Sequence, residues 1–174
     1  MIIKNAIIYG EDFEPRREDI RIEDGKIAEI GKLDGDGLDC TGMRVLPGFI
    51  DIHIHGCNLA DATDGKEDSV LVMSRWLAGK GITSFCPTTM TLPITELQKS
   101  FKYAADAMGH EPGAYIHGIN MEGPFLSYAK RGAQNPEYLH EPDIDELKKL
   151  DKICKIRLVS LAPELPGAIE VARE

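Results

Sequence analysis

The 174-residue chain is 43% hydrophobic and 28% charged, the balance of a globular protein long enough to bury one sizeable core. Its 29 acidic against 20 basic residues give a formal charge of -9, and no lysine–arginine cluster appears, which argues against a nucleic-acid interface. No apolar run approaches the ~20 residues of a membrane-spanning helix, and the opening MIIKNAIIYGEDFEP carries a lone lysine and no small-residue cleavage site, unlike a secretory signal.

Residues 1–46 are rich in short β patterns and turns. MIIKNAIIYG is strand-like, and DIRIEDGKIAEIG alternates on both sides of Asp24-Gly25, a dipeptide that favours a two-residue hairpin. A small antiparallel sheet is expected there. From residue 47 the rhythm becomes strand, helix, strand, helix, which implies parallel strands with right-handed crossovers. GFIDIHIHG reads as a strand covered on both faces. A helix is predicted over about 68–80, with Val70, Met73 and Leu77 on one stripe. ITSFCPTTM is a second strand. Pro93 opens a helix whose apolar face is Leu97, Phe101, Ala104 and Met108, with Gly109 as its stop. AYIHGINMEGPF reads as one third strand turning at Gly123-Pro124, and 126–142 as a long loop. DIDELKKLDKIC is a short helix, KIRLVSLAPE a fourth strand, and LPGAIEVARE begins another helix. Polar or turn-forming groups gather at the carboxyl ends of these strands, where α/β barrels place their sites. A closed eight-stranded barrel takes at least ~200 residues, so residues 47–174 amount to half of one.

His53 and His55 are one residue apart in the first of these strands. Alternation puts them on one face with Asp51, opposite Ile50, Ile52 and Ile54. They are either a metal-binding pair, imidazole being the commonest metal ligand near neutral pH, or a pair of satisfied core or loop histidines. Glu122 ends a strand expected to be buried. A buried carboxylate is costly unless paired, so it is either a ligand at a barrel mouth or an exposed loop glutamate. Lys130, Arg131, Gln134 and Asn135 are either substrate contacts, as βα loops supply, or a solvated basic turn. His110 and His140 are expected to face solvent and His117 to pack in the core. The four cysteines form no C-x-x-C pair, so a zinc finger is not expected, and reduced thiols in a cytoplasm are the default. Cys57 is either a ligand or reactive thiol or, the reading preferred here, a small half-buried residue beside the site.

The small N-terminal β-sheet followed by LPGFIDIHIHG and INMEGPF resembles the amidohydrolase superfamily. The combination of PGFIDIHIHG, PTTMT, HGINMEGPF, GAQNP and LAPE is similar to the family of N-acetylglucosamine-6-phosphate deacetylases, over essentially the whole chain. The resemblance implies the N-terminal part of a TIM-like (β/α)8 metal-dependent hydrolase barrel (47–174), preceded by a small β-sheet, composite β-sandwich domain (1–46). It implies one or two divalent ions, zinc, iron, manganese or cobalt. Glu122 matches a metal ligand and His53 and His55 match the H-x-H pair, which binds a second metal in some members. Ala133 and Gln134 match the loop that touches the sugar, and some members carry histidine where Gln134 stands. A divalent ion would activate water and polarise the acetamide carbonyl, with an aspartate as general base and then acid. That aspartate and two further histidine ligands belong to later strands, beyond residue 174, so no catalytic residue is assigned within the chain.

The implied reaction is hydrolysis of N-acetylglucosamine 6-phosphate to glucosamine 6-phosphate and acetate, in amino-sugar catabolism and cell-wall recycling. The implied setting is cytoplasmic, with a small amino-sugar phosphate as the partner, no nucleic acid or membrane, and a homodimer in the full-length form. Two alternatives stand: a non-catalytic fragment retaining the scaffold, or another amidohydrolase acting on a cyclic or linear amide. Cyclic-amide hydrolases commonly use a carboxylated lysine where Glu122 stands. The chain by itself is expected to be inactive, and its open sheet edge to need a partner or a longer parent protein.

Overall fold

Asp24 and Gly25 both adopt positive φ, 50° and 73°, the pair a two-residue type I′ turn requires. They join β2 (Pro15–Glu23) to β3 (Lys26–Gly31), with Glu23 opposite Lys26. β1 (Ile2–Tyr9) pairs antiparallel with β2. Two short strands, β4 (Leu38–Asp39) and β5 (Arg44–Val45), add to β1 in parallel. The sheet is therefore mixed rather than the purely antiparallel one expected, because the turn-rich segment after β3 carries the chain back before it re-enters beside β1. Ala6, Ile8, Ile20 and Cys40 form its small core. A bulge between Ile3 and Ala6 puts Asn5 at φ 59°. The Asn5 N–H leaves the ladder and donates to Asp19 Oδ1 at 2.7 Å, while Leu33 N–H donates to Asp19 Oδ2 at 3.0 Å. Lys4 Nζ completes the pairing of this buried carboxylate at 2.8 Å.

This computed structural model describes all 174 residues, and the chain forms two units, Met1–Pro47 and Gly48–Glu174. In the second unit, β6 (Phe49–Ile54) leads into a small ladder of β7 (Gly56–Cys57) and β8 (Ala60–Asp61). Then come α1 (Ser69–Ala78), β9 (Ile82–Pro87), α2 (Ile94–Ala107), β10 (Tyr115–Ile116) and β11 (Ile119–Glu122). The last elements are α3 (Ile144–Asp151), β12 (Ile156–Ser160) and α4 (Ala168–Arg173). One parallel sheet runs β10-β9-β6, and β11 and β12 form a second parallel pair, linked to the first by a parallel bridge between Thr88 and Asn120. The unit is mixed α/β, with helices between parallel strands. None of the helices is long and apolar enough to cross a membrane.

The predicted helix stripes are the buried ones for Val70, Met73 and Leu77 on α1 and for Leu97, Phe101 and Ala104 on α2, whereas Met108, expected on the same face, lies just past the end of α2 in extended backbone and is half-buried against the core. They pack with Phe85, Ile116, Ile119, Met121, Phe125 and Leu150 in one core. Two expectations fail. The single strand expected over AYIHGINMEGPF is split into β10 and β11, because Gly118 takes φ 127° where a Cβ would collide with the Lys155 carbonyl. β6 is not covered on both faces: Phe49, Ile50 and Ile52 are 69%, 63% and 52% exposed. It is an edge strand with one ladder neighbour, β9, and these side chains lack the covering layer that buries a parallel strand on both faces.

Candidate metal centre

His53 lies within β6 and His55 just beyond its end. The β6–β9 register shifts between Asp51 and Ile54, so strict alternation breaks at this point. Both imidazoles nevertheless converge, with their centroids 5.2 Å apart, edge to face, and their Nε2 atoms 3.3 Å apart. Asp51 does not join them. Its Oδ1 accepts from the His53 backbone N–H at 3.1 Å, an Asx-type contact that secures the strand instead. His55 Nδ1 lies 3.3 Å from the carbonyl of Thr88. A carbonyl can only accept, so Nδ1 carries the proton, and in the neutral ring Nε2 presents its lone pair. Behind the ring, Ala62 N–H donates to the His55 carbonyl at 2.8 Å, tying His55 to the β7–β8 ladder.

The carboxylate that meets the histidines is Glu122, from the end of β11. Its Oε2 lies 2.8 Å from His53 Nε2 and 3.3 Å from His55 Nε2. The backbone behind it is held by Thr89, whose Oγ1 lies 3.1 Å from the Glu122 nitrogen and 3.2 Å from its carbonyl oxygen. The chain then turns at Gly123, at φ 70°, where a Cβ would run into the Thr91 side chain. Glycine is therefore required next to Glu122, and it is what lets the strand end with the carboxylate at the sheet's carboxyl end.

Gln134 is 5% exposed and reaches Glu122 from the long loop, donating from Nε2 to Glu122 Oε1 at 2.8 Å. Ala133 beside it is exposed. The neighbouring polar residues serve the loop itself. Arg131 donates to the Tyr128 carbonyl at 2.6 Å and lies over its ring, and Asn135 accepts from Glu137 N–H at 3.0 Å. Lys130 is exposed. His110 and His140 are exposed, as expected, His140 standing edge-on to Phe125. His117 is not packed in the core: it is half-buried, edge-on to the exposed Tyr115, with its backbone N–H still donating to the Phe85 carbonyl at 3.1 Å where β10 ends. Cys57 is half-buried, and burial pushes its thiol above its usual pKa, which disfavours a thiolate ligand.

The residues that reading the sequence does not single out are those behind the ligands. Thr88 is fully buried, its Oγ1 accepts from Ile54 N–H at 2.9 Å, and its carbonyl faces His55. Asn120 is 3% exposed and donates from Nδ2 to the Ile52 carbonyl at 2.8 Å, stitching β11 to β6. The threonines of PTTMT, at a strand's carboxyl end, were the signal; their partners are 33 or more residues away and invisible to local spacing.

His53, His55 and Glu122 offer three ligand atoms within 4.8 Å of one another. Ligand atoms on a tetrahedral four-coordinate ion with bonds of about 2.0–2.2 Å stand roughly 3.3–3.6 Å apart. The two separations of 3.3 Å match that spacing, and the third, 2.8 Å, is tighter. Glu122 Oε2 is buried and, although close to both rings, has no aligned hydrogen bond. A buried charged oxygen without a donor is costly, and a cation removes that cost. The donor set, two imidazoles and a carboxylate, suits a divalent transition ion.

Comparison with known proteins agrees with this chemistry. The chain is 32% identical, over 97% of its length, to the N-acetylglucosamine-6-phosphate deacetylase of Lysinibacillus sphaericus, covering 46% of that protein. It is also 32% identical, over 88% of its length, to the N-acetylgalactosamine-6-phosphate deacetylase of Escherichia coli O157:H7, covering 42% of it. The crystal structure of N-acetylglucosamine-6-phosphate deacetylase from Thermotoga maritima superposes with a TM-score of 0.84 at 26% identity, over 99% of this chain and 45% of that one. The chain thus spans about half the length of the relatives it matches. Residues 44–171 match the amidohydrolase family, and with the two histidines and the glutamate gathered at the strand ends, the chain belongs to that family.

Proposed function

We propose that these residues form the N-terminal portion of a metal-dependent deacetylase that converts N-acetylglucosamine 6-phosphate to glucosamine 6-phosphate and acetate. The observation that carries the reading is the buried Glu122 Oε2, without a hydrogen bond and beside two imidazole nitrogens. The substrate class is taken from what the relatives are named for. In this reading residues 47–174 are the first half of a (β/α)8 barrel, and one or two ions of zinc, iron, manganese or cobalt occupy the centre. When bound, such an ion would polarise the acetamide carbonyl and acidify a water molecule.

The chain's own residues have separate tasks. His53 and His55 supply neutral nitrogen donors, the second held in its tautomer by the Thr88 carbonyl. Glu122 supplies the charge. The loop at Ala133 and Gln134 borders the sugar. The proton shuttle is an aspartate from beyond residue 174. Glutamate rather than lysine at position 122 favours a linear amide over a cyclic one. The full-length enzyme is read as a cytoplasmic homodimer, a setting that suits four unpaired cysteines.

The test extends the chain to the length of its relatives and follows acetate release from N-acetylglucosamine 6-phosphate, with the 4-epimer N-acetylgalactosamine 6-phosphate alongside. Turnover should depend on added metal, and Glu122→Gln should lose most of both metal and activity, because a charged oxygen ligand is removed. Unchanged metal stoichiometry in Glu122→Gln would overturn the ligand assignment. Failure to release acetate from either sugar would overturn the substrate assignment.

A further inference from the structure

We propose that Gln134 is a positioning residue for Glu122, setting the direction of its carboxylate, rather than chiefly a contact for the sugar. The inference rests on reading Glu122 as a metal ligand. The amide has one possible orientation. The Thr91 backbone N–H, which can only donate, meets Gln134 Oε1 at 2.7 Å, so Nε2 must face the other way. It there donates to Glu122 Oε1 at 2.8 Å and to Met90 Sδ at 3.6 Å. Oxygen and both N–H groups are thereby used within the protein, and at 5% exposure little of the side chain faces anything else.

The consequence for Glu122 is geometric. With Oε1 held by an amide N–H, the carboxylate plane is set and Oε2 alone is turned to His53 and His55. A neutral donor does this without neutralising the charge that a cation needs, as a lysine in the same place would do. The clamp also joins separate parts of the chain: the Thr91 backbone after β9, the end of β11, and the long loop, where Gln134 N–H donates to the Arg131 carbonyl at 3.1 Å. Such outer contacts orient ligands, and losing one typically weakens metal binding by about 10–100-fold.

The experiment measures zinc affinity by calorimetry in the full-length protein and in Gln134→Leu, Gln134→Met and Glu122→Gln, with far-ultraviolet circular dichroism to verify folding. Gln134→Met decides the matter, because it keeps the length of an unbranched side chain, leaves a weak sulfur acceptor for Thr91, adds no charge and removes the donor to Glu122. A space-filling role leaves its zinc affinity intact, whereas the positioning role lowers it by about 10–100-fold. Should Gln134→Leu fail to fold, Gln134→Met still gives the answer. Zinc binding in Gln134→Met as tight as wild type, with only KM raised, would overturn the proposal in favour of a sugar contact. Unchanged affinity in Glu122→Gln would instead remove the ligand reading beneath it.

Discussion

Asp19 is a carboxylate buried in a sheet, tolerated because a bulge frees the Asn5 N–H to meet it and Lys4 supplies the charge. The Lys4 contact and the N–H groups of Asn5 and Leu33 hold its pKa down at about 2, from an ordinary 3.8. A depressed carboxylate pKa contributes stability that is complete above the unfolded value and is lost as pH falls through the folded one. The N-terminal sheet should therefore weaken as pH drops from about 4 to about 2. Asp19→Asn should be less stable than the wild type at neutral pH, and the gap should narrow over that same window. Urea unfolding at a series of pH values checks this, and a gap that stays constant down to pH 2 would remove Asp19 as its source.

Helix α2 shows how an element is decided by its stripe. Leu97 and Phe101 are completely buried, and Ala104 nearly so, against the strands beneath. Removing the phenyl ring leaves a cavity the close-packed core cannot fill, so Phe101→Ala should cost about 3–5 kcal/mol. Against a usual domain stability of about 5–15 kcal/mol, that is enough to melt the second unit well below the temperature of the wild type. Thermal unfolding measures it. A loss under about 1 kcal/mol would mean α2 is not docked as described. At the other end of the scale of regularity, β10 and β11 owe their separation to a single backbone angle at Gly118. The turn after Glu122 owes its shape to Gly123 against Thr91.

As a molecule, the second unit has two unfinished sides. β6 is an edge strand with exposed Phe49, Ile50 and Ile52, and β12 has β11 as its only ladder partner. Beside β12, α3 and α4 border a groove of about 550 Å³ with Ile144, Leu147, Val159, Leu161 and Val171 in its walls. Unpaired strand edges and contiguous apolar surface drive association. These 174 residues expressed alone should self-associate, and with three ligand atoms and no placed proton shuttle they should not release acetate from N-acetylglucosamine 6-phosphate. Light scattering and an acetate assay test both. Metal-dependent turnover by a stable monomer would contradict the expectation, and activity gained on extending the chain would support it.

Periodicity identified the buried faces of α1 and α2. The stripes Val70-Met73-Leu77 and Leu97-Phe101-Ala104 are local, and burial of the same residues follows directly from the 3.6-residue repeat. The Asp24-Gly25 hairpin was equally legible, since a two-residue turn with both φ positive has few sequences that can make it. His53, His55 and Glu122 were legible as chemistry, by residue type at strand ends. Their meeting was not, because it depends on β6 and β11 being brought together through β9, with Thr88 and Asn120 as the stitches. Only the tertiary structure decided that Asp51 stays out of the cluster and that Gln134 turns inward onto Glu122. It alone showed that Ile50 and Ile52 of β6 stay exposed while Ile54 packs against the core. The contacts of Gln134 span 12 and 43 residues, and hydrogen-bond geometry across such distances leaves no periodic trace in a sequence, whereas the Asp51 contact is local and accompanies the break in strand register at that point.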